Sequence, residues 1–82
     1  MKHAGENALD TLEPLLLEIR KSKLLVEKKR GVFYRKSTAF LHFHEDPAGL
    51  FADLRVGRDW KRFPVRTKRE QRILLSEMAS VE

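Results

Sequence analysis

The sequence predicts an α+β fold in which a four-stranded antiparallel meander sheet lies between an N-terminal and a C-terminal helix (α-β-β-β-β-α). Apolar residues recur at helical spacing near both ends of the chain, and four short segments between them alternate apolar and polar residues. The connections between these segments are short enough to favour hairpins. Because the chain has 82 residues, we expect residues 1–82 to form a single domain.

The N-terminal helix is predicted from one apolar stripe. Residues 1–7 are polar, and we expect them to be disordered. Asp10 or Thr11 can act as the N-cap. The stripe falls at i, i+3, i+4 and i+7 and consists of Leu12, Leu15, Leu16 and Ile19; Leu9 extends it if the helix starts earlier. Residues 24–26 fit either a last helical turn or the entry to a strand, and residues 27–31 resemble an exposed turn or edge segment.

Four strands are predicted at residues 32–36, 39–45, 50–56 and 60–65. We place the first turn at Ser37-Thr38. Asp46 is expected to cap the second turn with an Asx-type bond before Pro47. Gly57 suits the first central position of a type II′ turn, because that position requires a positive φ.

The C-terminal helix is predicted to follow Thr67. The spacing of Thr67 and Glu70 fits a capping box, in which each side chain accepts a hydrogen bond from the backbone of the other residue. The predicted apolar face of this helix consists of Ile73, Leu74, Met78 and Val81.

Alternation along the strands sorts the side chains of the sheet onto two faces. The apolar face, which the helices should cover, holds Val32, Tyr34, Leu41, Phe43, Ala52, Leu54, Phe63 and Val65. The opposite face mixes aromatic, basic and polar residues and holds Phe33, Arg35, Phe40, His42, His44, Phe51, Asp53, Arg55, Trp60 and Arg62. Such a patch exceeds what a monomer usually exposes. Either a partner covers it, or a helix packs on each face, or the sheet curls so that Phe33 and Phe40 join the core.

A candidate binding site follows from the aromatic and basic residues of this second face. The residues predicted to contact a partner are Phe40, Arg55, Trp60, Arg62, Arg35 and Phe51. Aromatic and arginine side chains are the usual anchors of protein interfaces, and aromatic rings also stack on unpaired bases.

The same face carries a candidate polar cluster of His42, His44 and Asp53. The predicted register puts His42 opposite Asp53, whose carboxylate should raise the pKa of the imidazole. Two imidazoles and a carboxylate also match a three-ligand metal site. Because His3 falls in the predicted disordered tail and ordinary strand histidines are far commoner than ligands, we predict no metal, no cofactor and no catalytic residue.

Charge, cysteine content and the length of apolar runs indicate which partners, metal sites and locations are compatible with this chain. The net charge of +5 and the pI of about 9.9 are compatible with an anionic partner, although acidic residues are interspersed with the basic ones. The absence of cysteine excludes disulfides and thiolate metal sites. The longest apolar run is residues 15–17 and the N-terminus lacks the apolar core of a signal peptide, so we expect a cytoplasmic protein without membrane association.

The core segments GVFYRKS (31–37), AFLHFHEDPAGLFADLRV (39–56) and RFPV (62–65) resemble a set of small uncharacterised bacterial proteins. The resemblance covers roughly residues 24–75. It implies a bacterial, cytoplasmic origin and brings no roles for individual residues.

The sequence therefore predicts a small non-enzymatic binding domain that uses the aromatic-basic face for association with another protein or with a second copy of itself. The alternative is single-stranded nucleic-acid binding on the same face, although the chain lacks the RNP and KH signatures. A metal-dependent enzyme using His42, His44 and Asp53 is the third hypothesis.

Overall fold

The computed structural model describes residues 2–81, which form six strands and three helices. In chain order these are β1 (Lys2–His3), α1 (Glu6–Thr11), α2 (Glu13–Ile19), β2 (Leu25–Lys29), β3 (Val32–Arg35), β4 (Thr38–Asp46), β5 (Gly49–Val56), β6 (Asp59–Pro64) and α3 (Lys68–Val81). The predicted α+β class, with an antiparallel sheet and helices towards both ends, is confirmed. The four predicted strands correspond to β3–β6, and the sheet has two more.

The strands β2 to β6 form an antiparallel meander in chain order, and β1 pairs with β4 outside this path. The strand β2 comes from the segment for which the sequence left two interpretations open. The strand β1 comes from the tail that was expected to be disordered. The strand β3 pairs only with residues 38–42 of β4. The rest of that edge of β4 is therefore left to β1, whose Lys2 and His3 pair with Glu45 and His44.

Two further contacts hold β1 in place. The Ala4 amide donates a hydrogen bond to the carbonyl oxygen of Phe43 at 3.0 Å, and Lys2 Nζ lies 3.2 Å from Glu45 Oε1. Of the residues 1–7 expected to be disordered, 2–7 are therefore part of the fold, and Met1 lies outside the described residues.

The N-terminal helical region begins earlier than predicted and is interrupted at Leu12. The helix α1 begins at Glu6 after Gly5 rather than at Asp10 or Thr11, and Leu12 separates it from α2. Pro14 lies in the first turn of α2, where its missing N–H costs no helical hydrogen bond. The predicted apolar stripe is confirmed, since all its members are buried: Leu9, Leu12, Leu15, Leu16 and Ile19.

The first sheet turn lies one residue earlier than predicted. Arg35 pairs with Thr38, so the turn residues are Lys36 and Ser37, with φ values of 51° and 66°. A two-residue hairpin turn of type I′ requires positive φ at both positions. The strand pairing thus overrides the weak preference of lysine and serine for this conformation.

The other two predicted turns are confirmed. Asp46 Oδ1 accepts a hydrogen bond from the Ala48 amide at 2.9 Å, which is the expected Asx-type bond. Gly57 has a φ of 65°, and Arg58 is not among the residues with positive φ, as a type II′ turn requires.

The capping box of α3 is also confirmed. Thr67 Oγ1 accepts from the Glu70 amide at 3.1 Å, and Glu70 Oε1 accepts from the Thr67 amide at 3.0 Å. Leu74 and Met78 are buried as predicted, but Ile73 is 52% exposed. No helix of residues 2–81 combines the length and the apolar character that crossing a membrane requires.

The hydrophobic core lies between the helices and one face of the sheet. Its sheet residues are Phe33, Phe40, Leu41, Phe43, Ala52, Leu54 and Phe63, with Val65 beyond β6. This cluster corrects two predictions, because Phe33 and Phe40 were assigned to the opposite face. The alternative in which both residues join the core is the one that the structure adopts.

A β-bulge in β4 explains the correction. Phe33 lies opposite Leu41 and Tyr34 lies opposite Ala39, so Phe40 has no partner on β3. Such an extra residue shifts the alternation on one side of the bulge relative to the other. As a result Phe40 and Leu41 are both buried, and Val32, predicted to face the core, pairs instead with His42.

Candidate functional site

Within residues 2–81, the helices pack on one face of the sheet; we call the opposite face, which carries none of them, the open face. Strand pairing assigns to it Val26, Val32, Tyr34, His42, His44, Phe51, Asp53, Arg55, Trp60 and Arg62. None of these side chains belongs to the hydrophobic core cluster. Trp60 is 40% exposed and Val26 is 58% exposed, so the open face presents apolar surface to solvent.

Four of the six predicted partner-binding residues lie on the open face: Phe51, Arg55, Trp60 and Arg62. Phe40 and Arg35 do not. Phe40 is turned into the core by the bulge, and Arg35 Nη1 donates to the carbonyl oxygen of Val81 at the end of α3, at 3.3 Å. Arg35 therefore lies at the rim of the face that the helices cover, because the bulge also shifts the alternation of β3 relative to β5.

Trp60 is held by two neighbours across the sheet. The guanidinium carbon of Arg55 lies 4.5 Å from the indole centroid, a cation–π contact, and the His42 ring centroid lies 4.6 Å from the same ring. Arg55 Nε also donates to the Ala39 carbonyl oxygen at 2.7 Å. Arg55 and Trp60 are directly opposite in the β5–β6 ladder, as predicted, so the geometry of the pair is set by the strand register.

Asp53 is the most buried residue of the open face, at 8% exposure. Arg62 binds its carboxylate with two hydrogen bonds, from Nε to Oδ1 at 2.8 Å and from Nη2 to Oδ2 at 3.0 Å. Burial raises the pKa of Asp53, but the hydrogen bonds and charge of Arg62, with the nearby histidines, outweigh it and hold the pKa below its usual value. Asp53 is therefore an anion at neutral pH.

The histidine that contacts Asp53 is not the predicted one. His42 lies opposite Asp53 in the ladder as predicted, but His44 Nε2 approaches Asp53 Oδ2 at 3.0 Å. His42 Nδ1 instead lies 3.1 Å from His44 Nε2. Burial and the neighbouring His44 lower the pKa of His42 despite the charge of Asp53, so the prediction of a raised pKa is wrong. A contact from His44 to Asp53 is possible because side chains two positions apart on a strand share one face, which puts both histidines on the face of Asp53.

Sequence reasoning missed His3. The strand β1 places it opposite His44, and its ring centroid lies 5.1 Å from that of His44 and 5.7 Å from that of His42. The three histidines of the chain thus meet on the open face. A two-residue strand has no measurable periodicity, so the only available signal was the scarcity of histidine itself.

The donor atoms of His42, His44 and Asp53 all lie within 4.8 Å of one another. These residues are the predicted polar cluster, and among residues 2–81 they form a group with the composition and spacing of metal ligands. The arrangement can bind a cation, or it can serve as a hydrogen-bonded support beneath Trp60 and Arg62.

Comparisons with protein-family models, with curated proteins and with solved structures found no match to this chain. The resemblance to small bacterial proteins therefore stays a prediction. Function has to be inferred from the contacts, exposure and charges of the open face.

Proposed function

We propose that this chain is a small non-enzymatic binding domain of bacterial origin that associates with another protein, a second copy included, through the open face. One observation carries the proposal: Trp60 is 40% exposed on the sheet face opposite the described helices, where it contacts Arg55 and His42.

The contacts of Trp60 favour binding because they restrict its side chain before a partner arrives. Association costs free energy for each side chain that must be ordered, and both Trp60 and Arg55 already have defined neighbours. Tryptophan and arginine are the residue types most enriched among the energetically dominant contacts of interfaces. Val26, on the edge strand β2, extends the exposed apolar surface across the sheet.

Charge favours a partner with acidic groups. The charge of Arg62 is matched by Asp53, whereas Arg55 contacts a carbonyl oxygen and the Trp60 ring. Lys28 Nζ lies 5.3 Å from the centroid of Tyr34 on the same face. An aromatic or aliphatic group over Trp60 with a carboxylate near Arg55 would complement this surface.

Single-stranded nucleic acid is the second candidate partner, and the contact of Arg55 with the Trp60 ring favours it as well. A base on the exposed ring of Trp60 would contribute about 1–3 kcal/mol, and Arg55 and Lys28 would meet phosphates. Binding of this kind weakens steeply as salt rises, which distinguishes it from association with a protein.

Photo-crosslinking tests the proposal in cells. A photoreactive phenylalanine analogue replaces Trp60 in one strain and Ile73 in a control strain; Ile73 is also a large exposed apolar residue, at 52%, but lies on α3. We expect protein adducts from position 60 and not from position 73. An adduct of doubled mass identifies a second copy, and an adduct to nucleic acid supports the second candidate. If position 60 gives no adduct, or gives the same adducts as position 73, the proposed function is wrong.

Analytical ultracentrifugation of the purified protein at rising concentration distinguishes self-association from binding to a different protein. A mass that increases with concentration for the wild type and for Ile73→Ala, but not for Trp60→Ala, supports self-association through the open face. An equal increase in both variants places self-association on another surface.

A further inference from the structure

We propose that His42, His44 and Asp53 form a binding site for a divalent transition-metal ion, Zn²⁺ being the ion that we expect, beside the ring of His3. The sequence alone predicts no metal, because His3 falls in a segment expected to be disordered and ordinary strand histidines are far commoner than ligands. The inference goes beyond the proposed function and does not depend on it.

The hydrogen bonds of His44 are the first observation. Its Nε2 lies 3.0 Å from Asp53 Oδ2 and 3.1 Å from His42 Nδ1. A ring nitrogen has either one proton or one lone pair to share between these two contacts. If Nε2 donates its proton to Asp53, it has no lone pair left for an N–H of His42, so a single proton must serve both contacts. A metal ion in place of that proton would be bound by all three groups.

The spacing of the donor atoms is the second observation. Tetrahedral Zn²⁺ with bonds of about 2.0–2.1 Å separates its ligand atoms by roughly 3.3 Å. The two contacts of His44 Nε2, at 3.0 and 3.1 Å, are close to that separation. All three donor atoms lie within 4.8 Å of one another, so the widest separation would have to shorten by no more than about 1.5 Å to reach tetrahedral spacing.

The three imidazole rings are the third observation. Their centroids are 5.1, 5.2 and 5.7 Å apart, which is nearly an equilateral triangle. Imidazoles bound to one Zn²⁺ at tetrahedral angles have centroids roughly 5 Å apart. His3 is exposed on β1 and is not part of the group of donor atoms within 4.8 Å of one another, so its ring would have to turn towards the ion to become a fourth ligand, and water would otherwise take that position.

Arg62 has a positioning role in this site. Its two hydrogen bonds orient the carboxylate of Asp53, as the outer partners of ligating carboxylates commonly do. Nitrogen and oxygen ligands without thiolate suit Zn²⁺, Ni²⁺ and Cu²⁺. We choose Zn²⁺ because it accepts a tetrahedral set of imidazole and carboxylate ligands.

Isothermal titration of the untagged protein with Zn²⁺ tests the site. We expect one equivalent to bind, and His44→Gln and Asp53→Asn to weaken binding at least about tenfold. His3→Gln should weaken it less. The control is Glu13→Gln, which alters the other cluster of charged side chains, where Glu13 contacts Arg20 and Arg30, and should leave Zn²⁺ binding unchanged.

Two further measurements separate ligation from a folding effect. Co²⁺ should give the visible absorption bands of a four-coordinate ion with the wild type and not with His44→Gln. Because Trp60 lies 4.6 Å from the His42 ring and is the only tryptophan, Co²⁺ should also quench its fluorescence. Circular dichroism without metal checks that each variant is folded.

The proposal is overturned if the wild type shows no stoichiometric Zn²⁺ binding, or if folded His44→Gln binds Zn²⁺ as tightly as the wild type. Loss of Zn²⁺ binding with unchanged crosslinking at position 60 leaves the proposed function intact. Zn²⁺ binding without crosslinking overturns only the proposed function.

Discussion

The same strands present two chemically different faces, one apolar and covered by the helices, the other polar and aromatic. Along β5, Ala52 and Leu54 are fully buried against the helices, whereas the alternating residues Asp53 and Arg55 point to the open face. The covered face is a continuous apolar core. The side chains of the open face are joined by hydrogen bonds and ring contacts, and among them Asp53 is buried from solvent. Core packing and the chemistry of the open face can therefore be changed separately by substituting neighbouring residues of the same strand.

The largest expected difference between the two faces is at Phe40, the residue of the β-bulge. Phe40 lies in the core at 4% exposure, while Phe51 is half-buried on the open face. Phe40→Ala should lower the free energy of unfolding by about 3–5 kcal/mol, and Phe51→Ala by clearly less. Urea unfolding of both variants measures the difference. Equal losses would mean that Phe40 is not turned into the core.

Leu54 tests the covered face without involving the bulge. It is fully buried opposite Leu41, so Leu54→Ala should cost about 2–5 kcal/mol, a large part of the stability of a domain of this size. Its neighbour Arg55 supplies the control, since Arg55→Ala removes an open-face side chain from the same strand. A urea midpoint that shifts more for Arg55→Ala than for Leu54→Ala would reverse the assignment of the faces.

The charged contacts of the covered side give a pH-dependent prediction. Arg20 binds Glu27 through Nε at 2.6 Å and Nη2 at 3.0 Å, and the Gly31 amide donates to Glu27 at 3.0 Å. The Arg20 hydrogen bond is the largest influence and lowers the pKa of Glu27 although burial raises it. A lowered folded pKa means that stabilisation is present above the unfolded pKa and is lost as pH falls through the folded pKa.

Glu27→Gln should therefore cost on the order of 1 kcal/mol at neutral pH. The difference from the wild type should shrink as pH falls below the ordinary range of a glutamate pKa. Thermal melts across this pH range measure it, with Glu18→Gln, an exposed residue of α2, as the control. A stability difference between Glu27→Gln and the wild type that does not depend on pH would contradict a stabilising ion pair between Arg20 and Glu27.

Trp60 should show the smallest effect on folding. It contacts Arg55 and His42 and is not a member of the hydrophobic core cluster, and cross-strand contacts contribute about 0.2–1 kcal/mol each. Trp60→Ala should lower stability by about 1 kcal/mol or less, measured by circular dichroism melts, and, if the proposed function is correct, should also weaken association through the open face. A loss comparable to that of Leu54→Ala would show that Trp60 belongs to the structural core rather than to a binding face.

Local patterns were sufficient to predict much of this protein. The leucine stripe of residues 9–19, the capping box at Thr67 and the pairing of His42 with Asp53 were all predicted correctly. Each depends on residues close in sequence or on a hairpin whose turn residues determine the register. Alternation along β5 and β6 likewise placed Asp53, Trp60 and Arg62 on one face.

Only the tertiary structure decided the bulge at Phe40 and the position of His3. A bulge depends on which register lets distant side chains fill the core, and no local signal encodes that choice. His3 reaches His44 because β3 leaves part of β4 unpaired, a consequence of strand lengths that a two-residue segment cannot reveal. The sequence by itself therefore determined the α+β class and most of the open face. Long-range pairing decided which aromatic rings lie in the core and where the third histidine joins the other two.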